Sequence, residues 1–451
     1  MKNKFNPIYT IMIISIVHLL CSCESFLDEK PDKGITVPVT LSEIMALLDN
    51  AFIFNSTPTL QIIASDEYYN TTEGWESYPS TMVQRAHLRQ FDTMFEGVDN
   101  VTEWSNPYEQ IFYANIALEQ VEKVIPKNPE EEHLKQVITG SGLFNRAYAL
   151  FHLAINYAPS NVNGTVSDGN GIPLPLDPDI NQDHPISDLG DTYQRIIDDL
   201  ETAISLLDEN TAYATRPSLP AAHALLARVY LSMNSFENAL FHAQKALQIH
   251  DDLLDFQILD GTMTYPFHLA NKEVIYHSEA YSYSGFARSQ ETRIDTLLYR
   301  SYDNEDLRKT LFYVKRDNGA INFRGSFASG YDHFTGLTTG ELYLVIAECK
   351  AMLGDMDGSI DAMETLLKSR YLNGNIPPWP DFTEDSLIEK VLLERKKELV
   401  FRGLRWSDLK RYIASGVTEV ALKRVIDGQE YSLEPSMENL VFPIPKEESL
   451  F

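Results

Sequence analysis

The 451-residue sequence contains little cysteine and little positive charge. Of its three cysteines, Cys21 and Cys23 lie one residue apart near the N-terminus and Cys349 lies far from both. A redox or zinc site at a Cys-x-Cys pair needs further ligands close by, and the neighbouring sequence contains none. Lysine and arginine number 37 against 65 aspartates and glutamates, so the formal net charge is −28 at pH 7. Such a surface repels phosphate backbones, which argues against nucleic acid as a partner.

Signatures of catalysis are also missing. The sequence has no H-E-x-x-H, no G-x-S-x-G and no Walker phosphate-binding loop. Carboxylates are numerous, and a pair suited to glycoside hydrolysis stays open as an alternative. Most of the acidic residues, however, lie on the polar faces of predicted helices. We therefore predict a binding protein that is not an enzyme and needs no cofactor.

The sequence has one long apolar run, the 13 residues 8–20 near the N-terminus, and none beyond it. As a helix it would span about 20 Å, less than the roughly 20 residues that a bilayer core requires. It fits the apolar region of an export signal. Leu20-Cys21-Ser22-Cys23 follows and resembles a bacterial lipobox, which predicts removal of residues 1–22. Aligning the lipobox on Cys21 would place His18 at its first position, a poorer match, and secretion without lipid is the other alternative.

Cys23 would then be the first residue of the exported protein and would carry acyl chains such as palmitate. Each buried methylene contributes about 0.8 kcal/mol, and more than one chain gives stable anchoring. Residues 23–37 are predicted to be a tether between the membrane and a soluble body. Cys349 would remain without an intramolecular disulfide partner.

The body is predicted to be mainly α-helical, because apolar residues recur at helical spacing through much of it. Small or aromatic residues also occur at positions where tetratricopeptide (TPR) repeats need them for close helix packing. We predict a TPR-like helical array over residues 38–249 and 338–451, with an unspecified helical bundle as the alternative. The amphipathic segments are 104–125, 141–158, 191–209, 218–249, 338–371 and 386–413, and the repeat-like positions are Ala227, Tyr230, Phe236, Ala239 and Ala246, then Ala347, Gly354 and Ile360.

Two stretches, about 55–100 and 250–337, lack helical periodicity and are rich in Tyr, Ser, Gly and Asn. We predict that they form a loop-rich second lobe with short β segments, such as residues 273–278. Aromatic plates beside amide, carboxylate and guanidinium groups suit the apolar faces and hydroxyls of sugars. The alternative is that these aromatics belong to the core. The candidate ligand contacts are Tyr68, Tyr69, Asn70, Trp75, Tyr78, Tyr281, Tyr283, Phe286 and Arg288, with Tyr331 and Phe334 behind them.

We predict that two charged segments have structural roles and are not ligand sites. Alternating polar residues at 177–183 imitate the start of an EF-hand, but Gln182 occupies the position where the loop needs glycine. We predict a solvated acidic loop there, with calcium as a weak alternative. Glu394 and Glu398 lie four residues apart beside three basic residues, which predicts a salt-bridged surface helix with a scaffold role. The residues of the calcium alternative are Asp177, Asp179, Asn181 and Asp183.

The whole chain resembles the SusD/RagB family of surface lipoproteins of Bacteroidetes. The landmarks occur in the family's order: the lipidated cysteine with CESFLDEKP (23–31), NPYEQIFYANIALEQV (106–121), ELYLVIAECKAMLGD (341–355), ERKKELVFRGLRWSDLKRY (394–412) and FPIP (442–445). The chain departs from the pattern in having arginine at position 402, where the family usually has an acid. It also stops soon after FPIP, and it is short for a starch-type member.

The resemblance implies a SusD-like fold and a nutrient-capture protein exposed at the cell surface on the outer membrane. It implies a SusC-like TonB-dependent barrel transporter as partner, over which the protein sits as a lid, and an oligosaccharide as the ligand passed to it. A RagB-like lid that binds peptides is one alternative. A TPR adaptor that binds a partner protein, with no small ligand, is the other.

Overall fold

Helices dominate this computed structural model, which describes residues 37–162, 169–269, 271–287, 289–325, 327–417, 421–436 and 439–445. The predicted export signal, Cys23, all of the tether before Val37, and Arg288 lie outside the described residues. Within the described ranges, no helix is both long enough and apolar enough to cross a membrane. Residues Val39–Phe451 form one compact unit.

The mainly α fold predicted from periodicity is confirmed. In chain order the helices are α1 Leu41–Leu48, α2 Ala51–Phe54, α3 Leu60–Ala64, α4 Thr72–Glu76, α5 Thr81–Leu88, α6 Thr102–Lys123, α7 Pro129–Tyr157, α8 Leu189–Ile204, α9 Leu219–Ser232, α10 Phe236–Ile249, α11 Ser284–Ala287, α12 Thr296–Arg300, α13 Arg308–Leu311, α14 Thr339–Met352, α15 Met356–Lys368, α16 Glu384–Glu398 and α17 Arg405–Ser415.

Side-chain caps define where the scaffold helices begin. Thr40 and Glu43 form a reciprocal capping box at α1, and the Asn128 side chain accepts the Glu131 backbone N–H at the start of α7. Ser218 caps α9 in the same way, as Thr338 does for α14. Each cap satisfies a backbone donor that would otherwise have no partner, at about 1 kcal/mol apiece.

The long helices pack mainly against their neighbours in sequence, as in a helical-repeat array. Helix α6 packs on α7, α7 on α8, α9 on α10, α10 on α14 and α14 on α15. The repeat-like alanines Ala227, Ala239 and Ala246 are fully buried, which lets the helix axes approach closely. Gly354 ends α14 at a φ of +82°, a left-handed conformation that glycine adopts without a steric penalty.

Short two-stranded ladders connect the irregular segments. The strands are β1 Ser56–Thr57, β2 Tyr68–Asn70, β3 Val274–Tyr276, β4 Glu279–Ala280, β5 Thr292–Ile294, β6 Tyr313–Lys315, β7 Ile321–Phe323, β8 Leu337–Thr338, β9 Leu422–Ile426 and β10 Gln429–Leu433. Strand β1 pairs with β4 in parallel, and β2–β5, β3–β8, β6–β7 and β9–β10 pair antiparallel. The first two ladders therefore join the 55–100 stretch to the 250–337 stretch.

The predicted surface placement of Glu394 and Glu398 is wrong. Both side chains are buried, and the Arg308 guanidinium lies between them, 2.8 Å from Glu394 Oε2 and 3.1 Å from Glu398 Oε2. Arg308 also forms a two-pronged pair with Asp306. Arg370 joins the same cluster by binding Glu398. Helix α16 thus presents its charged face to the interior, where opposite charges satisfy one another.

Arg402, the residue that departs from the family pattern, is buried next to this cluster. Its guanidinium lies over two aromatic rings, 4.3 Å from the centroid of Phe327 and 4.8 Å from that of Phe334. Burial lowers its pKa to about 10, while the nearby Glu398, Glu273 and Glu341 act to raise it. The aromatic faces and surrounding carboxylates stabilise a cation here.

Candidate functional site

A cavity of about 510 Å³ opens within the irregular 250–337 segment. One side is the loop at 262–265, another is formed by residues 286–287, 289–290 and Thr292, and a third is the β6–β7 hairpin. Among the described lining residues, only Phe401, in the turn between α16 and α17, comes from elsewhere in the sequence. Clefts of this size, built from loops on a rigid scaffold, are the usual place for a small ligand.

The floor of this cavity is aromatic. Phe286, Phe323, His333 and Phe401 contact one another around it, with the Phe323 and Phe401 ring centroids 4.9 Å apart. The Phe323 and His333 rings are nearly parallel, at 12° and 6.0 Å. Burial lowers the pKa of His333 to about 4. The imidazole is therefore neutral at pH 7. Phe286, His333 and Phe401 are buried, whereas Phe323 is partly exposed, so Phe323 is the floor ring that the C–H face of a sugar can reach.

Phe401 reaches the floor through an unusual backbone conformation. Its φ is +57°, and Gly403 two residues later has a φ of +75°. A left-handed φ is rare for a bulky residue and stores strain, so the surroundings must hold it in place. The Phe401 N–H donates to Glu67 Oε1 at 3.0 Å. Burial and the neighbouring Asp66 raise the pKa of Glu67 to about 7.

The rim combines aromatic and polar groups. Tyr265 and Tyr331 meet edge to face with ring centroids 5.4 Å apart, and Tyr331 is half exposed. Arg316 and Arg324 enter from the two strands of the β6–β7 hairpin, just beyond the strand ends. A ligand in the cavity would therefore meet flat rings below and hydrogen-bond donors at the edge, a division that fits sugar recognition.

Most of the ligand contacts predicted from sequence in the 55–100 stretch are core residues, which corrects that prediction. Tyr68, Asn70 and Tyr78 are buried, and each makes internal hydrogen bonds. The Tyr68 hydroxyl donates to Ile63 O at 2.8 Å, and Asn70 Nδ2 donates to the Tyr78 hydroxyl at 2.6 Å. Their aromatic area packs against the protein interior and is closed to a ligand.

Tyr69 and Trp75 lie away from the cavity. Tyr69 is partly exposed at a separate surface hollow beside Leu297 and Lys423. The Trp75 indole N–H donates to Gln84 O at 3.0 Å, and the ring packs on the core.

The candidates at 281–286 divide between two environments. The Tyr283 hydroxyl donates to Glu103 Oε1 at 2.9 Å, and Tyr281 lies half-buried in the same region, so neither lines the cavity. Phe286 does line it, as part of the floor. Tyr331 lines the rim, whereas Phe334 is buried under Arg402.

Sequence reasoning missed Tyr265, Arg316, Arg324, His333 and Phe401. Asn318-Gly319 between two β-prone runs is the typical signal of a tight hairpin, and Gly319 indeed has a φ of +83°. That signal would have placed Arg316 and Arg324 on one hairpin, at opposite ends of its ladder. Arg316 lies opposite Ala320 beside the turn, and Arg324 lies opposite Phe312. Nothing local identifies Phe401, because it is contributed from a distant helix turn.

The calcium alternative at 177–183 finds no support. Asp177 and Asp179 use side-chain oxygens to accept backbone N–H groups two residues on. Among the described residues, no group of three or more His, Cys, Asp or Glu side chains converges as a metal site would require.

Comparisons with known proteins agree with this architecture. Structural neighbours include a SusD superfamily protein from Bacteroides vulgatus, with TM-score 0.73 at 17% identity over 90% of this chain and 96% of that one. A SusD superfamily protein from Bacteroides fragilis has TM-score 0.70 at 20% identity over 91% and 97%. A SusD-like carbohydrate-binding protein from Bacteroides vulgatus has TM-score 0.67 at 15% identity over 91% and 96%. At these identities the likeness concerns the fold.

Family membership rests on the sequence. No curated protein is a significant match to the chain. Residues 25–231 match a SusD-like family described as "Starch-binding associating with outer membrane", and residues 333–448 match the family described as "SusD family". The two matches take in both helical parts of the scaffold. The chain therefore belongs to the SusD/RagB family of nutrient-binding proteins.

Proposed function

We propose that this protein captures an oligosaccharide in the cavity floored by Phe286, Phe323, His333 and Phe401. The observation that carries the proposal is this aromatic floor beneath a polar rim, in a member of a family whose description names starch binding. Sugar rings stack by their apolar faces on the partly exposed Phe323 of the floor and on Tyr331 of the rim, and the polar rim groups bind their hydroxyls. The protein binds and releases its ligand without chemical change.

Delivery is the second part of the proposal. The bound oligosaccharide passes to a SusC-like TonB-dependent transporter, over which the protein sits as a lid. Acyl chains on Cys23 hold the protein at the outer membrane on the cell surface. A Cys23→Ala variant expressed in the native cell should lose both palmitate labelling and membrane association. A variant that keeps the palmitate label would contradict lipid anchoring at Cys23. A variant that loses the label and stays at the membrane only when the transporter is present would show retention by that partner.

Isothermal titration calorimetry against a panel of oligosaccharides tests the capture step. Tyr331→Ala removes an exposed rim ring and should weaken binding about tenfold, because a stacked aromatic contributes about 1 kcal/mol beyond its buried area. Tyr213→Ala is the matched control, since Tyr213 is also exposed and does not line the cavity. Equal losses in both variants, or binding by peptides in place of glycans, would contradict the proposal.

A further inference from the structure

None of the described residues that line the cavity is acidic, although the protein as a whole is strongly acidic. Acidic residues make up 65 of 451 positions, so a set of 18 lining residues would be expected to include two or three. None of the 18 described lining residues is aspartate or glutamate, whereas Arg316 and Arg324 are both among them. The local charge is therefore opposite in sign to that of the whole chain.

Neither arginine is neutralised by a carboxylate of the described residues. Arg324 Nη1 donates to Gly261 O at 2.9 Å and Met263 O at 2.8 Å. Arg316 Nε donates to Asn322 Oδ1 at 3.0 Å. Within the described ranges neither residue forms an ion pair, and their other guanidinium N–H groups make no hydrogen bond to the protein.

Two buried arginines of the scaffold are paired with carboxylates, whereas two others, Arg89 and Arg424, donate to backbone carbonyls. Arg228 and Arg411 each bind a glutamate with two guanidinium nitrogens. The cavity arginines are instead oriented by neutral carbonyl and amide oxygens. Those contacts fix the direction of each guanidinium and leave it without a carboxylate partner among the described residues. Unlike Arg89 and Arg424, which are buried in the core, the cavity arginines line a space that a ligand can enter, and the guanidinium fork suits the two oxygens of a carboxylate or sulfate.

The two guanidinium groups also act on each other. Partial burial lowers the pKa of Arg324, and the charge of Arg316 lowers it further. Like charges held near each other in a partly enclosed space repel, and an anion between them removes the repulsion. A neutral ligand would leave that repulsion in place.

We infer that the oligosaccharide captured in this cavity is acidic, carrying a carboxylate or sulfate group that Arg316 and Arg324 bind while its sugar rings stack on Phe323 and Tyr331. This inference rests on the proposed function and specifies the class of glycan. The guanidinium fork donates to two oxygens of such a group at once, which fixes the orientation of the sugar and compensates its negative charge.

Calorimetry on matched probes tests the inference. The acidic probes are short oligosaccharides of galacturonate, of a glucuronate-containing glycan and of chondroitin sulfate. Each is paired with its carboxyl-reduced or desulfated form, which keeps the linkages and removes the charge. The protein variants are Arg316→Gln, Arg324→Gln and their double. Lys315→Gln is the control, because Lys315 is an exposed cation at the end of β6 that does not line the cavity.

At least one acidic probe should bind, and its neutral form should bind about ten- to a hundredfold more weakly, as expected for the loss of charged hydrogen bonds. The double arginine variant should lose the same factor and Lys315→Gln should not. If affinity falls on carboxyl reduction, the bound group is a carboxylate; if it falls on desulfation, the bound group is a sulfate. Melting temperatures of the variants establish that they remain folded.

The failures of the two proposals can be told apart. If neutral forms bind as well as acidic ones and the arginine variants keep their affinity, the acidic class is overturned and oligosaccharide capture stands. Binding only by unrelated neutral glycans has the same consequence. If no glycan of either kind binds, or acidic peptides bind in their place with the same arginine dependence, oligosaccharide capture falls as well.

Discussion

Replacing Arg308 by methionine should destabilise the protein severely, because the guanidinium is the shared partner of three buried carboxylates. Its side chain is 0% exposed, as are those of Asp306 and Glu394, and Glu398 is 1% exposed. Methionine keeps much of the length and removes the charge. Breaking a buried ion pair by removing one partner costs about 3–5 kcal/mol, mostly because the remaining charge stays buried. We expect a fall of that size in the free energy of unfolding.

The chain offers a control of nearly identical geometry. Arg216 donates to the Asp49 carboxylate through Nε at 2.7 Å and through Nη2 at 2.6 Å. Arg308 donates to the Asp306 carboxylate through the same two nitrogens, at 2.9 and 2.7 Å. The Arg216 and Asp49 side chains, however, are 32% and 34% exposed. An exposed pair contributes about 0–1 kcal/mol, so Arg216→Met should have little effect. Arg308→Lys, which keeps the charge but loses the fork, should fall between the two.

Urea unfolding followed by tryptophan fluorescence measures the difference, since Trp104 and Trp406 are fully buried. The pH dependence gives a second check. The cluster lowers the pKa of Glu394 below its ordinary 4.5, with the Arg308 charge the largest cause that acts to lower it. The stabilisation is therefore present above pH 4.5 and is lost as the pH falls towards the folded-state value. The gap between wild type and Arg308→Met should narrow below pH 4.5. Equal, small effects of Arg308→Met and Arg216→Met at pH 7 would refute the reasoning.

Three further perturbations follow from single contacts. The raised pKa of Glu67 makes the wild-type fold lose stability as the pH rises from 4.5 to about 7. The Glu67→Gln variant lacks this titration, so its free energy of unfolding should rise relative to wild type over that range, by up to about 3 kcal/mol. Parallel dependences of the two unfolding free energies on pH would contradict this. Tyr283→Phe should cost about 1–3 kcal/mol by removing a donor from buried Glu103, without changing glycan affinity in calorimetry. Gly336→Ala should cost about 3 kcal/mol or more in thermal unfolding, because a Cβ would lie 2.0 Å from Tyr276 O, whereas Gly190→Ala, with open space around it, should be tolerated.

Helical periodicity predicted the scaffold well, because the signal and the structure are both local. Ala227, Ala239 and Ala246 mark the close contact of α9 and α10 through spacing alone. The polar face of α16 led to the wrong prediction of a surface helix, because the partners of its charges are not local in sequence. Its charges have partners at Asp306 and Arg370, separate from the helix in sequence, and a pattern confined to one helix cannot distinguish a solvated charged face from a buried and neutralised one.

The candidate site was predicted only in its general location. Richness in Tyr, Ser and Gly pointed to the 250–337 segment, in which the cavity lies, but composition does not separate an aromatic that faces a cavity from one that faces the core. Tyr68 and Tyr78 have polar neighbours in sequence and are nevertheless buried. The rings that do line the floor come together by tertiary folding, through the hairpin and the turn that carries Phe401.

That turn has a consequence for how ligand preference can change among relatives. Three walls of the cavity come from the 262–265 loop, the short segments at 286–287 and 289–292, and the β6–β7 hairpin, none of which belongs to the long scaffold helices. The fourth contribution, the Phe401 ring, belongs to the junction of two scaffold helices, where the Phe401 backbone N–H donates to Glu67 from a distant part of the chain. Relatives that bind different ligands can therefore differ in sequence in the β6–β7 hairpin and the 262–265 loop without disturbing the helical scaffold. A change at the junction would have to preserve a left-handed backbone and an interior acid at the same time.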